Sequence, residues 1–595
     1  MKSPGSKLLM SGCVLAVMLA GIQSLSAALK VPYAISSKAA IMIRLKSPEK
    51  TIEQGVNFLN EVQPGFGGIL LAQSQGLGVL ISNPTMAGVS QKEHWYVAAI
   101  PRKDAPPSVL FAIPTTNADE FKKALGERFK SFYRDGYLFY SQDADTLNEA
   151  KQLLSRKGTS IVSLMDEHSK KVFQSGQLSV FVNFVALKEL YGENFKQARE
   201  QFKQKLQNLP ADAQQNLPPG VSQEEVVELV LSIVDPVLQL VEDSQSLTST
   251  FRIARTGLVT ECYLHTKEDS PSDQFLRESP PIEMTLLRKM PPEKLVYYGV
   301  CFQSPRLVDW ASKITEKTLK IINAALKNNG GQELGDAELY AKLVLAQLQN
   351  EMAGCFWVGS VDQGLLRGAV VIKTKDAEKL KETNLKVLQT QQTVKWSKDF
   401  KVICSVKKNA EKVGGHSVDI VRYKYQYDTS KPEFQIAQKI VDTVYGPEGM
   451  TIRLVSTDDA FVTTIGGDQQ TLAEILNSLQ QKQGKGDQTA HQVFCEKYIP
   501  KSNALALIDL PNLILKVTKT LIQNKLIPLN IDPRLLNSLT LQSSYSGFGV
   551  LTEEHGLTMK LAIPAAQLQG IGQLVTFAQQ VFLQMQMQKN SKGMN

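Results

Sequence analysis

Apolar and polar positions first form a regular pattern between Ala39 and Val62. Ala39-Ala40-Ile41-Met42-Ile43-Arg44-Leu45 is almost wholly apolar. After Lys46-Ser47-Pro48-Glu49, the positions Ile52, Val56, Phe58, Leu59 and Val62 follow a helical spacing. This predicts a strand, then a helix opened by Ser47 at the N-cap, Pro48 in the first turn and an acid beside it. Leu295 to Phe302, followed by Gln303-Ser304-Pro305 and then Leu307, Trp310, Ile314 and Leu319, repeats the unit 257 residues later.

Between the two copies the pattern predicts further elements. Gly67 to Gly88 reads as a short hairpin or a pair of small helices. Trp95 to Ile100 and Val109 to Ile113 read as strands joined across Arg102 to Pro107, and Asn117 caps a helix through Phe121, Leu125 and Phe129. Gly136 to Tyr140 is a strand and Asp145 to Leu154 a helix. The order β-α-β-β-α-β predicts a ferredoxin-like, split βαβ module over 28–160. A second module over 175–278 has a strand at Leu178 to Phe184, helices at Leu187 to Leu206 and Val226 to Leu240, and strands at Leu247 to Ile253 and Leu258 to Leu264. Residues 279–293, rich in Pro, read as a linker, with a connecting strand at Ile282 to Leu287.

The second half repeats the first. Val109 to Phe121 aligns with Gly368 to Leu380 at an offset of 259, and Leu178 to Phe184 aligns with Asn503 to Asp509 at 325, as Thr146-Leu147 does with Thr471-Leu472. The jump places a gain of about 66 residues within 381–450. The expected fold is α+β: a tandem duplication of a two-module half. The third module spans 294–485 with its Lys-rich insertion 381–450, and the fourth spans 498–595 with a C-terminal helix. Each module is expected to be a mainly antiparallel sheet covered by helices on one face.

A chain of 595 residues with 43% hydrophobic and 21% charged content suits several globular domains. Lys2 and Lys7, the apolar run Leu8 to Ile22 and the small residues Ser24 to Ala28 read as an export signal over 1–27. No later stretch is long and apolar enough to span a bilayer, so the expected setting is periplasmic or extracellular, with no transmembrane segment after cleavage. The remaining chain carries a net +6, mild enough, with export, to argue against nucleic acid. Of the six cysteines, Cys13 falls in the export signal, and the other five, scattered without a Cys-x-x-Cys, imply buried thiols and neither a disulfide scaffold nor a zinc site.

Two stretches are candidates for recognition. Lys373 to Lys412 holds eleven lysines against five acids, and Lys395, Trp396, Lys398, Lys401, Lys407, Lys408 and Lys412 form a candidate patch for an anionic envelope polymer or lipid. The bland alternative is a solvated helix face and a lysine-protected edge strand. Leu568, Ile571, Val575, Ala578, Phe582 and Met585 recur at 3-4-3-4-3 spacing in an uncharged segment. They form a seam for a partner helix or a cover for the module's own sheet.

Catalytic patterns are poor. The six histidines lack metal spacing and read as surface residues, and Ser47-Pro48-Glu49-Lys50, a Ser-x-x-Lys match, is explained by capping because Val308 replaces the Lys in the second copy. No cofactor fingerprint is present.

An export signal, duplicated strand-turn-helix modules and no catalytic signature make the chain resemble a group of large exported bacterial proteins classed as domains of unknown function. The resemblance implies an envelope or periplasmic setting and carries no site residues. The expected function is therefore non-enzymatic binding or scaffolding in the cell envelope, with a polymer, lipid or protein partner. A carrier of a lipid or hydrophobic ligand and a hydrolase with a dispersed site are the alternatives.

Overall fold

The computed structural model describes residues 31–592 apart from 104, 209–216, 218–219, 302–303, 329–333, 335, 349–350, 391–399, 481–487, 525–530 and 532–536. The export signal expected over 1–27 lies outside the described residues. The chain is α+β with antiparallel sheets and divides into two compact units. Unit 1 comprises 1–197 with 244–266, and unit 2 comprises 198–243 with 267–595.

In unit 1 the strands are β1 (Ile41–Leu45), β2 (Trp95–Arg102), β3 (Ala105–Pro114), β4 (Lys130–Arg134), β5 (Tyr137–Ser141), β6 (Leu178–Asn183), β7 (Ser244–Ala254) and β8 (Gly257–Thr266). Their order across the sheet is 4-5-3-2-1-6-7-8. Every one of these pairings is antiparallel. A split βαβ holds the two strands that flank its helix parallel, with another strand between them, whereas β1 and β2, which flank the helix Pro48–Val62, are direct antiparallel neighbours. Strand β1 also pairs with β6, so the strands of 28–160 and of 175–278 lie in one sheet.

Alternation decides what each face buries. Tyr137 and Phe139 of β5 join Met42, Tyr96, Leu110 and Phe181 in one core, beneath Leu147 and Ala150 of the helix Ala144–Leu154. Leu138 and Tyr140 join Trp95, Ile113 and Phe121 in another, beneath the helix Ala118–Leu125. Helices therefore cover both faces in this region, where one was expected, because β5 is apolar at successive positions and neither face can be left to water. Each large side chain so buried contributes about 1.5–3 kcal/mol.

Unit 2 contains β9 (Val296–Val300), β10 (Met352–Val358), β11 (Leu366–Lys373), β12 (Phe400–Val413), β13 (His416–Tyr427), β14 (Met450–Ser456), β15 (Ala460–Ile465), β16 (Ala504–Ile508), β17 (Ser546–Glu553) and β18 (Gly556–Pro564). Their order is 12-13-14-15-11-10-9-16-17-18, again antiparallel. With the β12–β13 hairpin set aside, this order matches that of unit 1 strand for strand. The 381–450 segment supplies that hairpin and the helix Pro432–Tyr445, while the helix Ala377–Thr390 enters it from the preceding residues.

Two local expectations change. Ser47 stands at the head of the helix Pro48–Val62, yet it adopts φ 38 and donates its hydroxyl to the Lys92 carbonyl at 2.6 Å instead of capping the helix. At the later Ser-Pro, Ser304 does cap, accepting from the Leu307 amide at 3.3 Å. Ile282 forms only an isolated bridge to Ser502, and Thr285–Arg288 is a helical turn, because Glu351 accepts from the Leu286 and Leu287 amides.

Candidate functional site

Alternation along β1 places Met42 and Arg44 on the same buried face. An apolar residue is the default there, yet a guanidinium occupies the position at 4% exposure. In register Arg44 faces Tyr96 of β2 and Ser179 of β6. Its Nη2 donates to the Gly176 carbonyl at 2.8 Å, just past the helix Glu167–Ser175, and its guanidinium lies 5.4 Å from the centre of the Phe173 ring. The Nε–H is buried with no partner, and among the described residues no carboxylate pairs with Arg44.

A cavity of about 280 Å³ adjoins it, lined by Met42, Arg44, Lys46, His94, Tyr96, Val162, Met165, Lys170 and Phe173, with Pro32, Tyr33 and Gln174 completing the wall. Burial lowers the Arg44 pKa, but an arginine keeps its proton. Burial, and then the charges of Arg44 and Lys46, push His94 down to about 4, so its ring is neutral at pH 7. Burial pushes Tyr96 up to about 12. Lys170 is held by Glu167 at 2.7 Å. The cavity thus holds a buried cation without a counter-ion, a costly arrangement that an anion relieves.

The remaining constellations are structural. Asp166 accepts from the Ser169 amide at 2.7 Å and from the Tyr263 hydroxyl at 2.8 Å, with His265 at 3.9 Å. Burial raises its pKa, but these hydrogen bonds outweigh that and hold it low, so the carboxylate is committed to capping the helix Glu167–Ser175. A larger cavity of about 680 Å³ in unit 1 is lined by Glu49, Ser90, Glu93, Asp135 and Tyr137, and Ser90 donates to Glu93. No group of three or more metal-ligating side chains occurs among the described residues. His491, expected at the surface, is buried because its ring stacks on Tyr297 at 4.3 Å and its Nδ1 meets the Thr489 hydroxyl at 2.9 Å.

Of the lysine patch, Lys395, Trp396 and Lys398 lie outside the described residues. Lys401, Lys407, Lys408 and Lys412 are exposed on β12, the first strand in the unit 2 order. Opposite them β13 adds Arg422 and Lys424, facing Ser405 and Ile403. Sequence reasoning missed these two because the hairpin register brings them in. The inward side, Val402, Cys404, Val406, Val421 and Tyr423, packs with Leu380 and Leu385.

The C-terminal helix spans Ala565–Lys592, and the line it buries is not the apolar stripe, so the stripe does not serve as the module's own cover, and its reading as a seam for a partner helix is left open. Gln567, Gly570, Phe577 and Val581 face inward, with Phe577 and Val581 against Ile522 and Ile531. Val575 and Phe582 are 48% and 57% exposed, Leu568 and Ile571 are half-buried, and the side chain of Met585 lies outside the described residues. The helix rotates by about one residue because Gly570 must lie against Pro511, whose ring would be 2.9 Å from a Cβ there. No helix among the described residues is long and apolar enough to cross a membrane.

Arg44 had a signal in the sequence: a lone charge on the inward parity of an apolar strand. By count from the repeated Ser-Pro unit 2 carries Cys301 at this place, and by position in the strand it carries Gly299, the fourth residue of β9 as Arg44 is of β1. No protein-family model, curated protein or solved structure matches the chain.

Proposed function

We propose that this is an exported, non-enzymatic binding protein of the cell envelope, built by tandem duplication of one α+β half, whose unit 1 binds a small anion at Arg44. The common strand order of the two units supports the duplication. The buried, carboxylate-free guanidinium carries the binding reading. A scaffold has no use for an uncompensated charge in its core, and the uncharged Gly299 at the matching position of β9 argues that the fold does not need one. Among the described residues the buried Nδ1 of His94 has no hydrogen-bond partner, so no carboxylate orients the ring as a base, which supports binding over hydrolysis.

Native mass spectrometry of the mature chain, purified gently from its envelope fraction, tests the reading together with thermal unfolding in phosphate, sulfate and acetate. A retained anion, or a rise in Tm with anion concentration that disappears in Arg44→Gln, is the expected result. A bare chain indifferent to all anions overturns it.

A further inference from the structure

We infer, resting on the anion-binding reading, that the ligand of the unit 1 cavity is an amphipathic carboxylate, its head on Arg44 and its apolar body along Met42, Met165 and Phe173. Three observations select this class. The first is charge. Arg44 is the buried cation, Lys170 is tied to Glu167, and Lys46 is exposed at the margin, so one negative charge balances the interior. A phosphate dianion leaves a second charge to be satisfied in a low-dielectric wall.

The second is donor geometry. Nη2 is engaged by the Gly176 carbonyl and Nε–H is unpaired, so the planar fork keeps a donor for a planar acceptor, the match that arginine makes with carboxylates. The third is the opposite wall. Met42, Met165 and Phe173 are all buried side chains that present thioether and ring surface to the cavity, and Val162 adds to them. A bare inorganic anion leaves that surface unused. A volume of about 280 Å³ falls just below the range of small-molecule sites, which run from roughly 300 to 1,000 Å³. The body is therefore a short chain or a single ring.

Calorimetric titration of the full mature chain at pH 7 with butanoate, hexanoate, hexanol, hexylamine and inorganic phosphate tests this. The expected result is one hexanoate per chain, bound about fourfold more tightly per added methylene than butanoate. Hexanol and hexylamine should be at least tenfold weaker, and Arg44→Met should lose hexanoate by tenfold or more. Phosphate binding without hexanoate overturns the carboxylate class and leaves the anion site standing. Equal binding of hexanol and hexanoate overturns both, as does silence from every probe. Should Arg44→Met not fold, Val162→Trp fills the cavity while keeping the cation, and unchanged hexanoate affinity in that variant overturns the placement.

Discussion

Arg44 and Gly176, 132 residues apart, are joined by a 2.8 Å hydrogen bond from the guanidinium to the main-chain carbonyl. The bond exists because Gly176 has no side chain. A Cβ at that position would stand 2.0 Å from the Thr250 hydroxyl and 2.6 Å from the Phe251 carbonyl of β7. The end of the helix Glu167–Ser175 can thus approach the sheet closely enough to hold the arginine.

Gly176→Ala should therefore lower stability by about 1–3 kcal/mol, as overpacking does, in chemical denaturation. The same substitution displaces the Arg44 acceptor and should weaken any anion-dependent rise in Tm. A loss below about 0.5 kcal/mol would falsify the close approach.

Acid should weaken unit 2 through His491. Burial pushes its folded pKa down to about 4 from the ordinary histidine value of 6.5, so the unfolded chain takes up the proton first. The contribution is complete above pH 6.5 and lost as pH falls toward 4, on the order of 3 kcal/mol. His94, also near 4, acts in the same direction in unit 1. His491→Phe keeps the stack on Tyr297 and should flatten the stability curve between pH 6.5 and 4. An equally steep decline in the variant would assign the acid sensitivity elsewhere.

The C-terminal helix allows a paired comparison. Val581→Ala removes buried surface beside Ile522 and should cost about 1–2 kcal/mol. Val575→Ala and Phe582→Ala, on the exposed line, should change stability by less than about 0.5 kcal/mol. Urea titrations of the three variants check this, and a reversed ranking would return the apolar stripe to the role of a cover for the module's own sheet.

Thiol chemistry should separate the cysteines. Cys301, Cys355 and Cys495 are buried, and burial pushes Cys355 up to about 12 and Cys495 up to about 11. With a disulfide reagent at pH 8 these three should react only on unfolding, while the half-buried Cys262 reacts in the native chain. Rapid native reaction of all five would contradict the burial.

Much of the architecture was legible in local pattern. The apolar run of β1, the Ser-Pro at 47–48 and 304–305, and the start of the helix Ala118–Leu125, whose Asn117 cap accepts from two amides, stand where spacing put them, although that helix stops at Gly126, short of the expected Phe129. Strand β4 was missed because Lys130-Ser131-Phe132-Tyr133-Arg134 carries charges at both ends and pairs only with β5, showing no alternation of its own.

Helix and strand identity follow from periodicity, which is a property of neighbouring residues, and the chain shows it before it folds. Which strands become neighbours does not. That β1 joins β2 to β6 depends on hydrogen bonds between segments some fifty to one hundred and forty residues apart, which no local pattern encodes. The same holds for the cavity. Arg44 is visible as an odd charge in an apolar strand, but its isolation from the carboxylates of the described residues, its acceptor at Gly176 and its wall of Met165 and Phe173 arise only when distant backbone closes around it. The exposed line of the C-terminal helix is equally a matter of packing, since a rotation of one residue is invisible to spacing and is set by how closely Gly570 approaches Pro511.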